Sequence, residues 1–406
     1  MLKQCFDQFS TASGLKPNLN KSSVYFGGVC KVDQDIIIQQ LGYVQGKLPF
    51  KYLGVPLTTK KMKVAQWQPL IDKILAKISS WTARKLSYAG RVQLIRTVLF
   101  GVQSYWSQIF LMPSKVIKLI EAYCRSFMWS GTNVITKRAL ISWDKVCQPK
   151  SAGGLNILNL KSWNKAAILK LQWDLATKAD RLWIKWVHMY YIKGHSIATV
   201  KVPKQASWMV QKIMTVAGPN TQMQGDNGKR SKIKQLYLQQ IGSLARVEWK
   251  AIMFKNLARP KAFSMWLIIQ ERMMTTDRLI KWNINVDPIC VFCGNHPETH
   301  AQLFWECTII TGLWAGIFNW LHIQVQIKTW DQLVAWFVEK AKKKSVEGQL
   351  LRMVLAETLY SIWNERNHRV FDKVHRDTKS IIREIAYTCN IRAVGKLREV
   401  LHQRLL

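Results

Sequence analysis

Apolar residues recur at helical spacing through most of the chain. Leu2, Cys5, Phe6, Phe9 and Ala12 lie three or four residues apart, and Gly14 stops that run. Trp67, Leu70, Ile71, Ile74, Leu75 and Ile78 form a second stripe, and Val92, Leu94, Ile95, Val98 and Leu99 a third after a break expected at Gly90. Pro113-Ser114 precedes a further amphipathic helix from Val116 to Trp129, and a strong one is expected from about Leu160 to Thr177. Val247 to Phe254 and Pro260 to Met274 carry helical patterns too, and Leu350 to Leu401 reads as two helices. Strand patterns are confined to the first 60 or so residues. Ser22 to Phe26 follows a Pro17–Asn20 turn and ends at Gly27-Gly28, and Tyr52, Leu53, Val55 and Leu57 alternate in an extended segment whose Pro56 suits an edge strand. The expected fold is mainly α with a small α+β piece at the start.

Composition narrows the class. The 406 residues allow about two to three domains, and 48% hydrophobic content with 19 Trp supports packed cores rather than disorder. Sixty Lys+Arg against 24 Asp+Glu leave a net charge of +36. Such an excess is the electrostatic footprint of a polyanion binder, with nucleic acid favoured over a membrane surface or an acidic protein. Between Asp72 and Glu121, and again between Asp180 and Asp226, there is no acidic residue. Eight cysteines give no dense disulfide framework and the first residues have no signal-peptide layout, so a reducing intracellular compartment is expected. No apolar run approaches the roughly 20 residues of a membrane helix.

Candidate chemistry concentrates in one stretch, ICVFCGNHPETHAQLFWECTIITGL, residues 289–313. Cys290 and Cys293 form a Cys-x2-Cys knuckle, His296 and His300 follow in the loop, and Cys307 closes it. Two thiolates at that spacing can grip one face of a tetrahedral zinc while a later histidine and thiolate close the other. The competing reading is three buried, reduced cysteines in a helical domain. No phosphate-binding glycine loop, Gly-x-Ser-x-Gly or His-Glu-x-x-His motif supports another enzyme class.

The same stretch, with Leu-Phe-Trp-Glu-Cys and Leu313-Trp314, resembles the zinc-binding domain that follows the polymerase in plant LINE-type (non-LTR) retrotransposon reverse transcriptases. That family carries a histidine where this chain has Gln302. The resemblance therefore implies zinc on Cys290, Cys293 and Cys307, with His300 as the nearest replacement for the missing ligand. SGLKPNLNKSSVYFGG and YLGVPL resemble the segments after the family's catalytic aspartates, where Lys21 takes the lysine position and Tyr52-Leu53-Gly54 the primer-side hairpin. WTARKLSYAGRVQLIRTVL resembles the thumb, which implies phosphate contacts for Arg84, Lys85, Arg91 and Arg96, although these could equally be the charged outer face of a helical bundle. The segment from Trp143 through Gly153-Gly154-Leu155 resembles the linker after the thumb, and IWNERNHRVF the family's closing helix. Trp143, Trp163 and Trp173 could stack on unpaired bases, or simply fill a core.

These likenesses divide the chain into a post-catalytic palm remnant (1–65), a thumb-like helical region (66–142), a Trp-rich connector (143–228) with its boundary in the Gly/Pro-rich 218–228 loop, a reverse-transcriptase zinc-binding domain (231–318) and a helical tail (319–406). Two-metal polymerisation needs paired carboxylates, and no adjacent Asp-Asp occurs in the chain, so no Mg²⁺ site is visible. The expected function is that of a truncated retroelement protein that binds RNA or an RNA/DNA duplex without polymerising by itself, with a nuclear location implied by the resemblance. The alternatives are a part of an RNA-directed DNA polymerase whose catalytic palm lies upstream, and a decayed remnant.

Overall fold

A computed structural model describes residues 2–18, 22–52, 54–82, 86–195, 197, 199–202, 204–216, 232–254, 256–343 and 345–404. It is 63% helix and 3% strand, mainly α with two very small sheets. The boundary expected in 218–228 lies outside the described residues. The chain forms two compact units, residues 1–69 with 171–226 and residues 70–170 with 227–406.

In the first unit α1 (Leu2–Ser13) ends at Gly14, whose φ of 72° a side chain would resist. Strand β1 (Ser23–Val24) then crosses through α2 (Lys31–Leu41) to pair in parallel with β2 (Val44–Gln45). The segment expected to be extended is an antiparallel hairpin of β3 (Phe50–Tyr52) and β4 (Val55–Leu57) in which Lys51 faces Pro56, and Tyr25 stacks on Phe50 at 4.3 Å. The second segment of this unit is tied in by the Trp208 amide, which donates to the Thr59 carbonyl at 3.0 Å.

Four helices lead the second unit: α3 (Gln68–Thr82), α4 (Tyr88–Leu94), which passes through a π-helical turn into α5 (Phe100–Ile109), and α6 (Ser114–Ser130). Gly90 does not break the pattern. It lies inside α4, because Ser87 caps that helix by accepting the Gly90 amide. Short α7 (Trp143–Cys147) and the Gly153-Gly154 turn follow. Gly153 has φ 85° and its carbonyl accepts the Trp266 indole N–H at 2.8 Å, while a Cβ on Gly154 would meet the Gln148 carbonyl at 2.1 Å. This explains both glycines. Helix α8 (Leu160–Ala176) supplies the buried Asn164, whose amide donates to the Ser107 and Phe110 carbonyls and accepts the Met112 amide, satisfying the end of α5.

After α9 (Leu182–Val187) and α10 (Trp208–Thr215) of the first unit, the second unit resumes with α11 (Lys232–Ile241), α12 (Lys250–Met253), α13 (Arg259–Ile269) and α14 (Thr276–Lys281). The cysteine loop leads to α15 (Thr308–Trp320), α16 (Trp330–Ala341), α17 (Val346–Asn367), α18 (Thr378–Arg392) and α19 (Lys396–His402). α17 is the axis of this part, packed against α13, α16, α18 and α19. It is buried on nearly every side, including the charged residues Arg352, Glu357, Glu365 and Arg366. Glu357 pairs with Lys261 and lies 3.3 Å from Arg392, and Glu365 binds Arg369 at 2.8 Å and Arg376 at 2.7 Å. These charges form an internal network, since buried charges persist only when paired.

Candidate metal centre and basic surface

The loop between α14 and α15 is built by backbone bonds. The Cys290 amide donates to the His296 carbonyl at 2.8 Å, the Gly294 amide to the Cys290 carbonyl at 2.9 Å, and Ile289 bridges to Pro297. Gly294 takes φ 69°, the left-handed turn a tight knuckle needs. A short helix then enters a π-helical turn, Gln302–Glu306, whose closing bond runs from the Cys307 amide to the Gln302 carbonyl at 3.0 Å. In a π turn residues five apart lie on one face, whereas on an α-helix they diverge. The π turn is therefore what lets positions 302 and 307 look toward the same point.

The sulfurs of Cys290, Cys293 and Cys307 all lie within 4.8 Å of one another, the one such grouping of potential metal ligands among the described residues. A tetrahedral zinc with Zn–S near 2.3 Å needs sulfurs about 3.8 Å apart, so the three fit the ion with small adjustment. Cys290 and Cys307 are fully buried. The hydrogen bond between their sulfurs raises the Cys290 thiol and lowers that of Cys307, as expected of two sulfurs sharing a proton that a metal would displace. Gln302 is buried at the same place, its Nε2 3.6 Å from Cys293 Sγ.

His300 is turned elsewhere. Its ring packs 4.9 Å from Phe304 and edge-on to Trp330 at 5.0 Å, and burial, against the opposing pull of the Ile268 backbone, lowers its pKa to about 4. The structure brings the three cysteines and Gln302 together and leaves His300 in an aromatic pocket. Glu298 went unnoticed in the sequence. It is fully buried, accepts the Thr276 amide at 3.0 Å and is held by Arg366 through both carboxylate oxygens. A loop glutamate with no nearby partner in sequence gives no signal of this.

Of the basic candidates, Lys21, Arg84 and Lys85 lie outside the described residues. Arg91 is engaged internally, where its guanidinium stacks over Tyr88 and donates to the Met128 carbonyl at 3.4 Å, capping α6. Arg96 lines a cavity of about 410 Å³ together with Lys150, whose Nζ also sits 4.8 Å over the Phe254 ring. Burial, with the neighbouring Arg96 charge, holds Lys150 below its ordinary pKa. Trp143 is buried, and Trp163 packs edge-on against Phe100 and Tyr237, so both serve the core.

Comparison with known families places one part of the chain. Residues 232–314 match the family model described as zinc-binding in reverse transcriptase. That region is similar to the zinc-binding domain of reverse transcriptases. A relative from Arabidopsis thaliana, named as a putative ribonuclease H protein, is 27% identical over 158 residues, 39% of this chain and 24% of the relative's length. The match thus spans about a quarter of that protein. The matched region contains all three cysteines of the cluster and stops before α16 and α17. No helix among the described residues is long and apolar enough to cross a membrane.

Proposed function

We propose that this chain is the nucleic-acid-binding, post-catalytic part of a LINE-type (non-LTR) retrotransposon reverse transcriptase, in which a zinc-pinned loop steadies a basic helical body. The observation that carries this reading is the charge of +36 in a chain whose matched domain belongs to reverse transcriptases. Phosphates of RNA or an RNA/DNA duplex would be held by cationic sites such as Arg96 with Lys150, where two cations share one cavity without a neutralising carboxylate among its lining residues. Cys290, Cys293 and Cys307 would hold the zinc, with the Gln302 carboxamide or water in the fourth place. Bound there, the ion supplies cross-linking of the knuckle to the start of α15. Gln302 in place of a histidine makes this a weakened form of the domain, since a carboxamide is a poorer zinc ligand than imidazole.

Polymerisation would need paired carboxylates that these residues do not supply, because no adjacent Asp-Asp occurs. Salt-titrated binding to several unrelated oligonucleotides tests the proposal. Affinity should fall with a log–log slope of about −0.7 to −0.9 per neutralised phosphate and depend little on sequence. A response flat in salt would sink it. Primer extension with Mg²⁺ or Mn²⁺ should give no product from homogeneous protein, and synthesis would overturn the non-polymerising assignment.

A further inference from the structure

One groove of the second unit reverses the charge of the chain. It encloses about 530 Å³ between α16 on one side and residues flanking α12 and ending α13 on the other. Its floor is apolar: Trp249, Ile269, Trp330, Val334 and Val338. Its rim carries Glu248, Glu271, Asp331 and Glu339 against a single lysine, Lys342. Four of the chain's 24 acidic residues thus meet in one short groove, where 60 Lys+Arg are spread over the whole chain. Lys342 is 3.8 Å from Glu248, and Lys340 is 3.4 Å from Glu339, both as exposed pairs that solvent weakens.

The geometry selects among occupants. Asp331, Val334, Ala335, Val338, Glu339 and Lys342 recur at intervals of three and four, so one wall is a single helical face about 16 Å long, or three turns. The N-terminus of α16 is fixed, because the Thr329 hydroxyl caps it and Trp330 is buried against Phe304 and His300. Nucleic acid is disfavoured, since phosphates would face the carboxylates. A metal is not the ligand either, as these carboxylates do not gather within shared-ligand distance among the described residues. An apolar floor three turns long with acidic edges is complementary to a helix with an apolar stripe and basic flanks.

We propose that this groove is a protein-docking site for a basic amphipathic helix of a partner polypeptide. This goes beyond the nucleic-acid reading and does not depend on it.

The net charge of +36 makes the test sharp, because it opposes non-specific binding of a cationic peptide. A fluorescein-labelled Leu/Lys peptide of about 14 residues, patterned at helical spacing, is titrated with the full chain by fluorescence polarisation, beside a scrambled peptide of identical composition. The amphipathic peptide should bind at least tenfold more tightly than the scrambled one. The exposed double variant Asp331→Lys/Glu339→Lys should lose at least tenfold, and Ala335→Trp, which fills the groove without changing charge, should lose affinity as well. Circular dichroism on both variants checks that the fold is kept. Equal binding of the two peptides, or unchanged binding by both folded variants, overturns the proposal. So does a concentration-dependent dimer in sedimentation that both variants abolish, which would assign the groove to a second copy of this chain.

Discussion

Arg366 on α17 grips both carboxylate oxygens of Glu298 in the cysteine loop, with its Nη2 2.8 Å from Oε1, across 68 residues of chain. Glu298 also accepts the Thr276 amide at the start of α14. One buried carboxylate therefore joins the cysteine loop, the helix before it and the long axial helix. Arg369, one turn further on, lies 4.6 Å over the Phe292 ring inside the knuckle. The matched family region ends at residue 314, yet the side chains that seat its loop come from residues 366 and 369.

Removing one member of this pair leaves an unpaired charge in the interior. Arg366→Met should lower stability by about 3–5 kcal/mol, read by chemical denaturation, whereas the double change with Glu298→Gln should recover part of the loss. The loss should be accompanied by weaker zinc retention, because the loop loses its seat. A surface-like cost below about 1 kcal/mol would show that the pair does not anchor the loop.

Much of the fold was legible because periodicity reports burial directly. The stripes predicted α3, α6 and α8 to within a few residues, and Pro56 does lie in an edge strand, as its residue type suggested. The parallel pairing of β1 with β2 was not legible, as two-residue strands carry no pattern and their partner is fixed by a crossover. The cysteine spacing identified the knuckle. What the spacing could not convey was the π turn that aligns Gln302 with Cys307, or the route of His300 into an aromatic pocket. Charged residues were least legible: Glu298, Glu365 and Arg366 are buried, and the partners that hold them lie far away in sequence or on buried faces. The glycine pair 153–154 was visible as turn punctuation, but its cause, the closeness of Gln148 and Trp266, is tertiary.

Glu121 should make the second unit lose stability as pH rises. Burial, reinforced by Asp144, raises its pKa from 4.5 to about 7, against the opposing pull of Arg125 and Lys161. Between those two values the folded state keeps a proton that the unfolded state has released, so stability falls with pH through this window and is level above it. Glu121→Gln removes the titration. It should be more stable than the wild type at pH 8 by about 1–3 kcal/mol, discounted for partial exposure, and nearly equal at pH 4. Urea denaturation across pH measures this, and parallel curves for the two proteins would refute the assignment.

The Arg96–Lys150 cavity should contribute to nucleic-acid binding through phosphates alone. Each of Arg96→Ala and Lys150→Ala should weaken binding to unrelated oligonucleotides by similar factors and reduce the magnitude of the log–log salt slope by roughly one. Arg91→Ala should behave differently, lowering stability through the lost cap on α6 with little change in slope. A salt slope unaltered in both cavity variants would move the phosphate contacts elsewhere on the basic surface.

The fourth zinc ligand is the point at which this chain departs from the family it resembles, and the π turn makes the departure testable. Position 302 already faces the sulfurs, with the Gln302 side chain 3.6 Å from Cys293 Sγ, so an imidazole placed there would meet the ion without rebuilding the loop. Gln302→His should therefore tighten zinc binding, by at least tenfold, because a neutral imidazole replaces a carboxamide or water in a shell that already holds three thiolates. His300→Ala should leave zinc affinity nearly unchanged, since its ring is committed to Phe304 and Trp330, and should instead cost stability through the lost aromatic contacts. Competition with a chelating dye across wild type and both variants, after metal analysis of the purified protein, separates the outcomes. If His300→Ala releases zinc while Gln302→His gains none, the histidine swings into the site and the fourth place belongs to it. If neither wild type nor Gln302→His retains zinc, the three sulfurs are core packing, and nucleic-acid binding rests on the basic helices alone.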